Sequence, residues 1–537
     1  MAKDRVYLFD TTLRDGAQTQ GVDFSVEDKR IIAGALDRLG VAYIEGGWPG
    51  ANPTDSEFFT TKPPLKRAKF VAFGMTKRPG RSAANDPGLA QILGASADAA
   101  CLVGKSWDFQ VDVALGISQA ENIELISDSI AAAHAKFGEA MFDAEHFFDG
   151  YKANPDFATR CVQAALDAGA RWAVLCDTNG GTLPHEVERI VGELAAKLGD
   201  ASRLGIHTHN DTENAVANSL AAVKAGVRQV QGTLNGLGER CGNANLIALI
   251  PSLMLKPWFR DHVEIGLSEQ DLTHLTATSR MLDELLNRAP NRHAAYVGAS
   301  AFAHKGGLHV SAVMKDPHTY EHIPPETVGN KRQVLISDQA GRSNLLVRLT
   351  EAGIPFNPDD SRLNALLEDV KQREAEGYSY DGAEASFEIL ARRALGLMPT
   401  FFDVRSFRVT VERRFNARGQ LVTMSEATVK LNVDGETLFS VAEGNGPVNA
   451  LDQAMRKDLG RYQGYIDDLR LADFKVRILN GGTEATTRVM IESTDGEGSR
   501  WFTVGVSPNI IDAAFVALMD SIQWKLLRDG ATPSRQK

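Results

Sequence analysis

VYLFDTTLRDGAQTQGVDFSVEDKRIIAGALDRLGVAYIE, residues 6–45, is one complete strand–helix–strand unit. Its apolar run Val6–Phe9 predicts a short buried strand. Ser25 opens the amphipathic helix that follows with a capping-box pattern, and Gly40 is typical of a helix end. Ala42–Glu45 is then a second strand. The stretch therefore predicts a parallel strand pair joined by a helix, the building block of α/β folds.

The same unit recurs down the chain. Six further strand-like runs alternate with Ala-rich amphipathic stretches: Lys69–Phe73, Ala99–Val103, Ala140–Ala144, Trp172–Cys176, Leu204–His207 and Gln229–Leu234. Eight units in about 250 residues are typical of a (β/α)8 TIM barrel. A doubly wound open sheet is the alternative. The Gly-rich stretch Gly232–Gly242 gives it little support, because it follows the eighth strand and lacks a ribose-binding acid at the usual distance.

The remainder of the chain has a different pattern. We predict a catalytic barrel over residues 1–280, a helical accessory region over 281–398 and a C-terminal α+β domain over 399–537. In the last of these, two βββα copies are predicted, with Gly444-Asn445-Gly446-Pro447 and Gly505-Val506-Ser507-Pro508 at matching places, a repeat spacing of 61 residues. This domain lacks the acid, base and metal residues seen in the barrel, so we predict a regulatory or dimerising role for it.

Composition narrows the function classes. The formal net charge is −11, and apolar residues make up 43% of the 537 positions. This balance indicates a globular protein and argues against a nucleic-acid partner, which would need a basic face. No apolar run is long enough to cross a bilayer. Four scattered cysteines without a CxxC pair and an N-terminus without a signal region predict reduced thiols and a cytoplasmic location.

The strongest chemical signal is His207-Thr208-His209 at the end of the seventh strand. Residues i and i+2 of a strand face the same side, so both imidazoles point together at the carboxyl end of the barrel, where active sites lie. Asp15 follows the first strand and Asn243 follows the eighth. Strands one, seven and eight are neighbours in a closed barrel, so these four side chains are expected to hold a divalent cation, Mg, Mn or Zn.

Each of these residues has a simpler interpretation. A His-x-His pair alone favours neither a metal site nor a structural role. Asp15 can cap a helix or pair with Arg14, and Asn243 can cap the eighth helix. Convergence of all four at one point favours the metal.

Four further polar residues lie at strand ends. Arg14 can stabilise an enolate or a polarised carbonyl oxygen, although an isolated arginine is by default a surface ion pair. Glu45 and Glu145 can act as general acid or base or orient a metal ligand. For Glu45, burial in a pair with an arginine or lysine is equally expected. The Thr178 hydroxyl can hold a substrate carboxylate or belong to an ordinary turn.

Over nearly its full length the chain resembles the acetyl-CoA-dependent 2-isopropylmalate, homocitrate and citramalate synthases. The matching stretches are Asp10–Gln18, His207–Asp211, Gly238–Ala244, Ala301–His309 and Thr319–Glu321. The C-terminal repeat resembles the family's allosteric domain, which binds the end-product amino acid. In these relatives the accessory region reaches the barrel of the partner subunit, which implies a homodimer.

The resemblance implies a role for each matching residue. Metal binding falls to Asp15, His207 and His209, with Asn243 close by. Arg14 is expected to stabilise the enolate and hold the oxo acid, together with Thr178, Gln18 and Glu45. His309 and Tyr320 are expected to deprotonate acetyl-CoA and promote thioester hydrolysis, with Glu145 in support.

Two stretches, Gly46–Asp55 and Asp143–Gly150, resemble the branch of the family that uses pyruvate. The resemblance thus implies condensation of acetyl-CoA with pyruvate and water to (R)-citramalate and CoA, in threonine-independent isoleucine biosynthesis, with isoleucine as effector at residues that stay unassigned. The methyl group of pyruvate calls for a tight apolar pocket, for which the candidates are Phe73, Met75, Leu102 and Val103.

Other functions remain open from the sequence. Synthesis of 2-isopropylmalate or homocitrate differs only in this pocket. An acyl-CoA lyase on the same barrel is disfavoured by the long C-terminal repeat. A non-catalytic amino-acid sensor is disfavoured by the intact set of polar residues in the barrel.

Overall fold

The structure, a computed structural model, describes residues 3–415, 417–480 and 485–534. The chain forms two compact units. The first comprises Met1–Phe302 and Ile323–Lys331, and the second comprises Ala303–His322 and Arg332–Lys537. The accessory region 281–398 is therefore shared between the two units, and the three predicted domain boundaries stay predictions.

A closed barrel of eight parallel strands forms the first unit, as predicted. The strands are β1 Tyr7–Asp10, β2 Tyr43–Gly47, β3 Lys69–Met75, β4 Ala99–Lys105, β5 Ala140–Glu145, β6 Ala170–Asp177, β7 Leu204–Thr208 and β8 Gln229–Gly232. The barrel closes where β8 pairs with β1, with Tyr7 opposite Gln229 and Asp10 opposite Gly232. The ends of β1, β7 and β8 thus meet at one edge of the barrel mouth.

One principal helix follows each strand. These helices are α1 Val26–Leu39, α2 Pro53–Phe58, α3 Pro87–Leu93, α4 Gln119–Phe137, α5 Pro155–Asp167, α6 Pro184–Leu198, α7 Ala215–Lys224 and α8 Leu246–Leu255. The capping box predicted at Ser25 is present, and Gly40 ends α1 in a left-handed conformation with φ 100°. A ninth helix, α9 Leu275–Leu285, packs against α1. Among the described residues, no helix is long and apolar enough to span a membrane.

Apolar side chains pack in two layers of the barrel. The outer layer lies between strands and helices and includes Leu8, Ile44 and Phe142. The inner layer fills the barrel and includes Phe9 and Trp172. Because successive strand residues face opposite sides, the two layers alternate along each strand. The filled interior confines any ligand to the barrel mouth.

A buried lysine ties together the first two loops of the barrel mouth. Lys29 Nζ donates to the carbonyl oxygens of Leu13 at 2.8 Å and Gly46 at 2.9 Å, and it forms an ion pair with Asp55. The second carboxylate oxygen of Asp55 accepts from the backbone N–H of Trp48 at 2.9 Å. We call these contacts of Lys29 and Asp55 the Lys29 hub. The hub holds the segments that follow β1 and β2 in place at the barrel mouth.

Removal of the Lys29 charge is expected to cost about 3 kcal/mol in the free energy of unfolding, because Asp55 is left buried without its partner. The variant is Lys29→Met, and urea denaturation followed by circular dichroism measures the change. Lys62→Met is the matched control. Its ion pair with Asp98 is 39% and 30% exposed, so we expect a loss below about 1 kcal/mol. Equal losses in the two variants would contradict the role of the hub.

In the second unit, four helices precede two βββα copies. The helices are α10 Gly307–Val313, α11 Arg342–Glu351, α12 Arg362–Glu376 and α13 Glu384–Ala394. The first copy comprises β9 Asp403–Phe415, β10 Leu421–Val433, β11 Glu436–Gly444 and α14 Pro447–Lys457, and the second comprises β12 Arg470–Ile478, β13 Thr487–Thr494, β14 Arg500–Ser507 and α15 Ile510–Arg528. Each sheet is antiparallel in chain order, which confirms the predicted repeat.

The matching glycines of the two copies have a steric cause. A Cβ added to Gly444 would lie 2.4 Å from the backbone nitrogen of Ala450, and one added to Gly505 would lie 2.0 Å from the carbonyl oxygen of Ala513. Both alanines belong to the helix that follows. In each copy, therefore, glycine lets the helix backbone pack directly on the last strand.

Candidate active site

Three predicted metal ligands converge at the barrel mouth. His207 Nε2 lies 3.2 Å from Asp15 Oδ2 and 3.3 Å from His209 Nε2, and His209 Nε2 lies 3.9 Å from the same Asp15 oxygen. All three side chains are buried. Their donor atoms lie within 4.8 Å of one another, a spacing that can hold one metal ion.

Asn243 reaches this cluster because the chain after β8 folds back on β7. Its backbone bridges to His209, and its Nδ2 donates to Asp15 Oδ2 at 2.7 Å. The return needs glycine at Gly242, which has φ +89° and whose added Cβ would lie 2.1 Å from the Gly236 carbonyl oxygen. The predicted four-residue convergence is what the structure contains.

A relay of two hydrogen bonds, His207–Gln231–Asp143, orients the His207 imidazole. Its Nδ1 lies 2.8 Å from Gln231 Oε1, and Gln231 Nε2 donates to Asp143 Oδ1 at 2.9 Å. Since the Gln231 oxygen can only accept, His207 carries a proton on Nδ1, and its Nε2 is the nitrogen that faces the cluster. Burial opposes protonation of His207, but the Asp15 carboxylate raises its pKa above the usual value. The two Nε2 atoms, 3.3 Å apart beside this carboxylate, are placed to share one positive centre, either a proton or a metal ion.

The remaining donors also fit a divalent cation. Asn243 Oδ1 is buried and has no hydrogen-bond partner within the described part of the chain. A half-turn of the Asn243 amide about its last side-chain bond would exchange the positions of its oxygen and nitrogen and turn an oxygen ligand toward Asp15. Burial lowers the pKa of His209 to about 3, helped by His207, so its imidazole is neutral as a ligand must be. Burial opposes ionisation of Asp15, but Arg14 and His207 hold its pKa below the usual value.

Arg14 lies beside the cluster in a fixed orientation. Its Nε donates to Glu45 Oε2 at 2.7 Å, and its guanidinium carbon sits 3.8 Å from the centre of the Phe73 ring. Glu45 is fully buried, and burial raises its pKa to about 7 against the effect of Arg14. The sequence left two roles open for Glu45, an acid or base at the site and a buried ion pair. The structure contains the buried ion pair, with Arg14 as the partner. Glu45 holds the guanidinium in place and does not line the cavity.

A cavity of about 350 Å³ opens above these residues. Five predicted site residues besides the two histidines line it: Arg14, Asp15, Gln18, Glu145 and Thr178. Of the predicted apolar walls, Phe73, Met75 and Val103 also line it. Leu102 does not. Its side chain belongs to the outer layer of the barrel, because neighbouring strand residues face opposite sides.

Thr178 and Glu145 both line the cavity, and each is held by a neighbouring group. The Thr178 Oγ1 accepts from the backbone N–H of His146 at 2.9 Å, which leaves its hydroxyl proton to donate. Arg240 steadies this turn, since it donates to the Thr178 carbonyl oxygen at 2.7 Å while paired with Asp211. Glu145 forms an ion pair with Lys105 at 2.5 Å, and both line the cavity.

His309 and Tyr320 belong to the second unit. Their rings stack with centroids 4.3 Å apart and planes at 30°. Tyr320 is 47% exposed, and His309 on α10 is exposed as well. The next residue, Glu321, is buried. Its carboxylate accepts a hydrogen bond from Arg332 at 2.6 Å and lies 3.0 Å from His304 Nε2. The pair is therefore displayed at a surface on an anchored segment.

Comparison with known proteins agrees with this geometry. The family model described as HMGL-like matches residues 5–281, more than half of the chain. The (R)-citramalate synthase of Geobacter sulfurreducens is 51% identical over 97% of both chains, and that of Aquifex aeolicus is 49% identical over 98% of both. The chain belongs to the (R)-citramalate synthase family.

Two further family models match the chain after the barrel. Residues 296–377 match the model "Homocitrate synthase post-HMGL domain-like", and residues 381–526 match the "LeuA allosteric (dimerisation) domain". The 2-isopropylmalate synthase of Pseudoalteromonas atlantica is more distant, at 31% identity over 98% of this chain and 97% of its own. Similarity to the citramalate synthases therefore exceeds similarity to that neighbouring family.

Several residues of this citramalate synthase family member were not predicted from sequence. Asp143 and Gln231 orient His207, while Lys105 and Arg240 hold Glu145 and the Thr178 turn. In β8, Gln229 and Gln231 alternate with smaller or apolar residues, so they face the inside of the barrel. This pattern is a sequence signal that could have identified Gln231. The others lie in motifs with no local pattern that assigns a role.

We expect Gln231→Leu to weaken metal binding by about 10- to 100-fold, because His207 loses the partner that fixes its tautomer and orientation. Calorimetric titration with Mn²⁺ measures the dissociation constant. Gln229→Leu is the matched control, two residues earlier on the same strand. There the amide nitrogen lies 4.0 Å from Met141 Sδ, and the amide oxygen has no hydrogen-bond partner in the described part of the chain. An unchanged Mn²⁺ affinity in Gln231→Leu would exclude the relay.

Proposed function

We propose that this protein condenses acetyl-CoA with pyruvate and water to give (R)-citramalate and free CoA, as the first step of threonine-independent isoleucine biosynthesis. The observation that carries the proposal is the cavity in which Arg14, Thr178 and Glu145 surround the Asp15–His207–His209 cluster. Near full-length identity of 49–51% to two (R)-citramalate synthases supports the choice of substrates.

Asp15, His207 and His209, with Asn243, would hold a divalent cation, Mg, Mn or Zn. When bound, such a cation polarises the 2-oxo carbonyl of pyruvate. The Thr178 hydroxyl donates to the pyruvate carboxylate, and Gln18, which lines the same cavity, contacts it as well. The methyl group of pyruvate is then directed at the apolar wall formed by Phe73, Met75 and Val103.

Arg14 supplies the fixed positive charge of the reaction. The methyl group of acetyl-CoA is a weak acid, so its deprotonation requires both a base and stabilisation of the enolate oxygen. Arg14 is pre-oriented by Glu45 and Phe73 and need not reorganise as this charge develops. The enolate carbon attacks C2 of pyruvate, and hydrolysis of the new thioester releases CoA as a free thiol.

The base and the hydrolytic step are assigned to the second unit. His309 and Tyr320 would remove the proton and promote thioester hydrolysis, with Glu145 in support. In this proposal the protein is a homodimer, and each accessory region serves the barrel of the other subunit. The surface display of the stacked His309–Tyr320 pair supports such a role.

The direct test of the function is thiol release from acetyl-CoA with four 2-oxo acids and added Mn²⁺. The acids are pyruvate, 2-oxobutyrate, 2-oxoisovalerate and 2-oxoglutarate. We expect the highest kcat/KM with pyruvate and no turnover after chelation of the metal. Preference for 2-oxoisovalerate or 2-oxoglutarate would refute the substrate assignment.

Sharing of the site between subunits predicts complementation. Arg14→Ala and His309→Ala homodimers are each expected to be inactive. After the two are unfolded and refolded together, one site in each heterodimer has both residues, so about a quarter of wild-type activity should return. Each variant refolded alone is the control. No recovery from a mixture whose heterodimers are shown by mass spectrometry would mean that His309 serves its own barrel.

Isoleucine is the proposed effector of the C-terminal domain. Its addition is expected to inhibit thiol release in the full-length protein, whereas leucine and valine serve as controls of similar size. Inhibition by leucine alone would instead assign the protein to leucine synthesis.

A further inference from the structure

Trp48 lies in the wall of the candidate active site. It follows β2 and packs edge-on against Phe73, with ring centroids 5.6 Å apart and planes at 84°. Phe73 in turn supports the guanidinium of Arg14. The indole is thus the next layer of the wall behind the residue proposed to hold the oxo acid.

Three cavities meet at this side chain. Trp48 lines the active-site cavity of about 350 Å³, a second of about 250 Å³ and a third of about 400 Å³. The second also shares Met75 and Lys105 with the active-site cavity, and its far wall includes Leu89, Ile92 and Leu125. An apolar space therefore lies directly behind the apolar wall of the active site, with the indole between them.

The indole cannot easily leave this position. The backbone N–H of Trp48 donates to Asp55, whose carboxylate is held by the buried Lys29. Gly47 has φ +139°, and a Cβ there would lie 2.5 Å from the Asp55 carboxyl carbon. A Cβ on Gly74 would lie 3.3 Å from Trp48 Nε1, so the ring is also packed closely against β3. Trp48 is accordingly held at its backbone by Asp55 and packed at its ring against Phe73 and β3.

We infer that Trp48 sets the upper size limit of the 2-oxo acid, an inference that rests on the proposed function. The indole closes the active-site cavity toward the 250 Å³ cavity and leaves room for the methyl group of pyruvate. A smaller side chain at this position joins the two spaces, and the longer alkyl groups of 2-oxobutyrate and 2-oxoisovalerate extend into apolar surroundings.

The other apolar wall residues are less suited to this task. Phe73 carries the Arg14 guanidinium, so its replacement would disturb catalysis with every substrate. Met75 is 40% exposed and flexible, so it yields to a larger ligand. Val103 lines the active-site cavity but neither of the other two. Of these four residues, Trp48 alone has a fixed backbone, lies between the cavities and makes no hydrogen bond to a charged group of the site among the described residues.

The test compares kcat/KM for pyruvate, 2-oxobutyrate and 2-oxoisovalerate in wild type, Trp48→Ala and Trp48→Phe. We expect the ratio of kcat/KM for 2-oxoisovalerate to that for pyruvate to rise at least about 10-fold in Trp48→Ala, since each methylene in an apolar pocket is worth about 10- to 200-fold. Trp48→Phe should give a smaller rise in the same direction. A loss of folding alone would lower all rates together and leave the ratio unchanged.

Trp107→Ala is the matched control. Trp107 is also half-buried, follows strand β4 and packs against Phe109 and His146, but lines none of the three cavities. Its ratio should remain that of wild type. Ratios within about two-fold of wild type in both Trp48 variants would overturn the inference. Failure of wild type to use pyruvate would instead overturn the proposed function, so the two failures are distinct.

Discussion

Arg14→Gln is expected to lower kcat/KM for pyruvate by about 100- to 1000-fold, the loss found when one pre-oriented donor to a developing oxyanion is removed. Glutamine keeps hydrogen-bonding capacity but not the charge, so stabilisation of the enolate is lost while Glu45 is left without its cation. The effect should fall mainly on kcat, because the charge develops during the reaction. Initial-rate measurements of thiol release separate kcat from KM.

Arg171→Gln provides the matched control for this change. Arg171 begins β6 at the opposite end of the barrel and stacks on Trp172, with 4.1 Å between the guanidinium carbon and the ring centroid. Its loss should change kcat/KM by less than about two-fold. Arg14→Lys offers a second comparison, since a lysine keeps the charge but not the planar fork that Glu45 and Phe73 hold. Activity of Arg14→Gln within a few-fold of wild type would remove Arg14 from the mechanism.

His209→Ala is expected to abolish the metal site and with it the activity. Loss of a residue that only orients a ligand costs about 10- to 100-fold in metal affinity, and loss of a ligand itself should cost more. After dialysis against Mn²⁺ and then metal-free buffer, elemental analysis should give about one ion per chain for wild type and almost none for the variant.

The control for metal loss is His134→Ala. His134 lies in the last turn of α4, outside the barrel, where its ring packs near Gly169. This variant should retain both the metal and the activity. Full metal occupancy in His209→Ala, whether or not activity is lost, would contradict the ligand assignment.

Much of this architecture follows from local patterns. The strands of the barrel are apolar runs of regular spacing, and closure of eight parallel strands brings the ends of β1, β7 and β8 together, where Asp15, His207 and His209 meet. Asn243 joins them through the return of the chain at Gly242. The C-terminal repeat is visible in its alternating strands and its two glycine–proline turns. In both cases the information lies in residues close in sequence, or in a topology that the count of units implies.

The supporting residues depend on contacts that no local pattern encodes. Glu45 pairs with Arg14, which lies 31 positions away in the sequence. Asp143 accepts a hydrogen bond from Gln231, which lies 88 positions away. Leu102 shows the limit of strand prediction: a position only one residue from Val103 faces the other side of the sheet. The orientation of Trp48 follows from the loop that Lys29 and Asp55 fasten, which is a property of the folded barrel.

The proposed metal ligands lie on both sides of the seam where the barrel closes. Asp15 comes from the loop after the first strand and Asn243 from the loop after the last, 228 positions away, so no half of the barrel contains the proposed ligand set. Cation binding is thereby coupled to completion of the ring: an ion that binds only the closed form stabilises it by mass action, by about 2.7 kcal/mol at 100 times its dissociation constant. In the cell, metal supply would then govern the lifetime of the folded chain against proteolysis as well as its turnover.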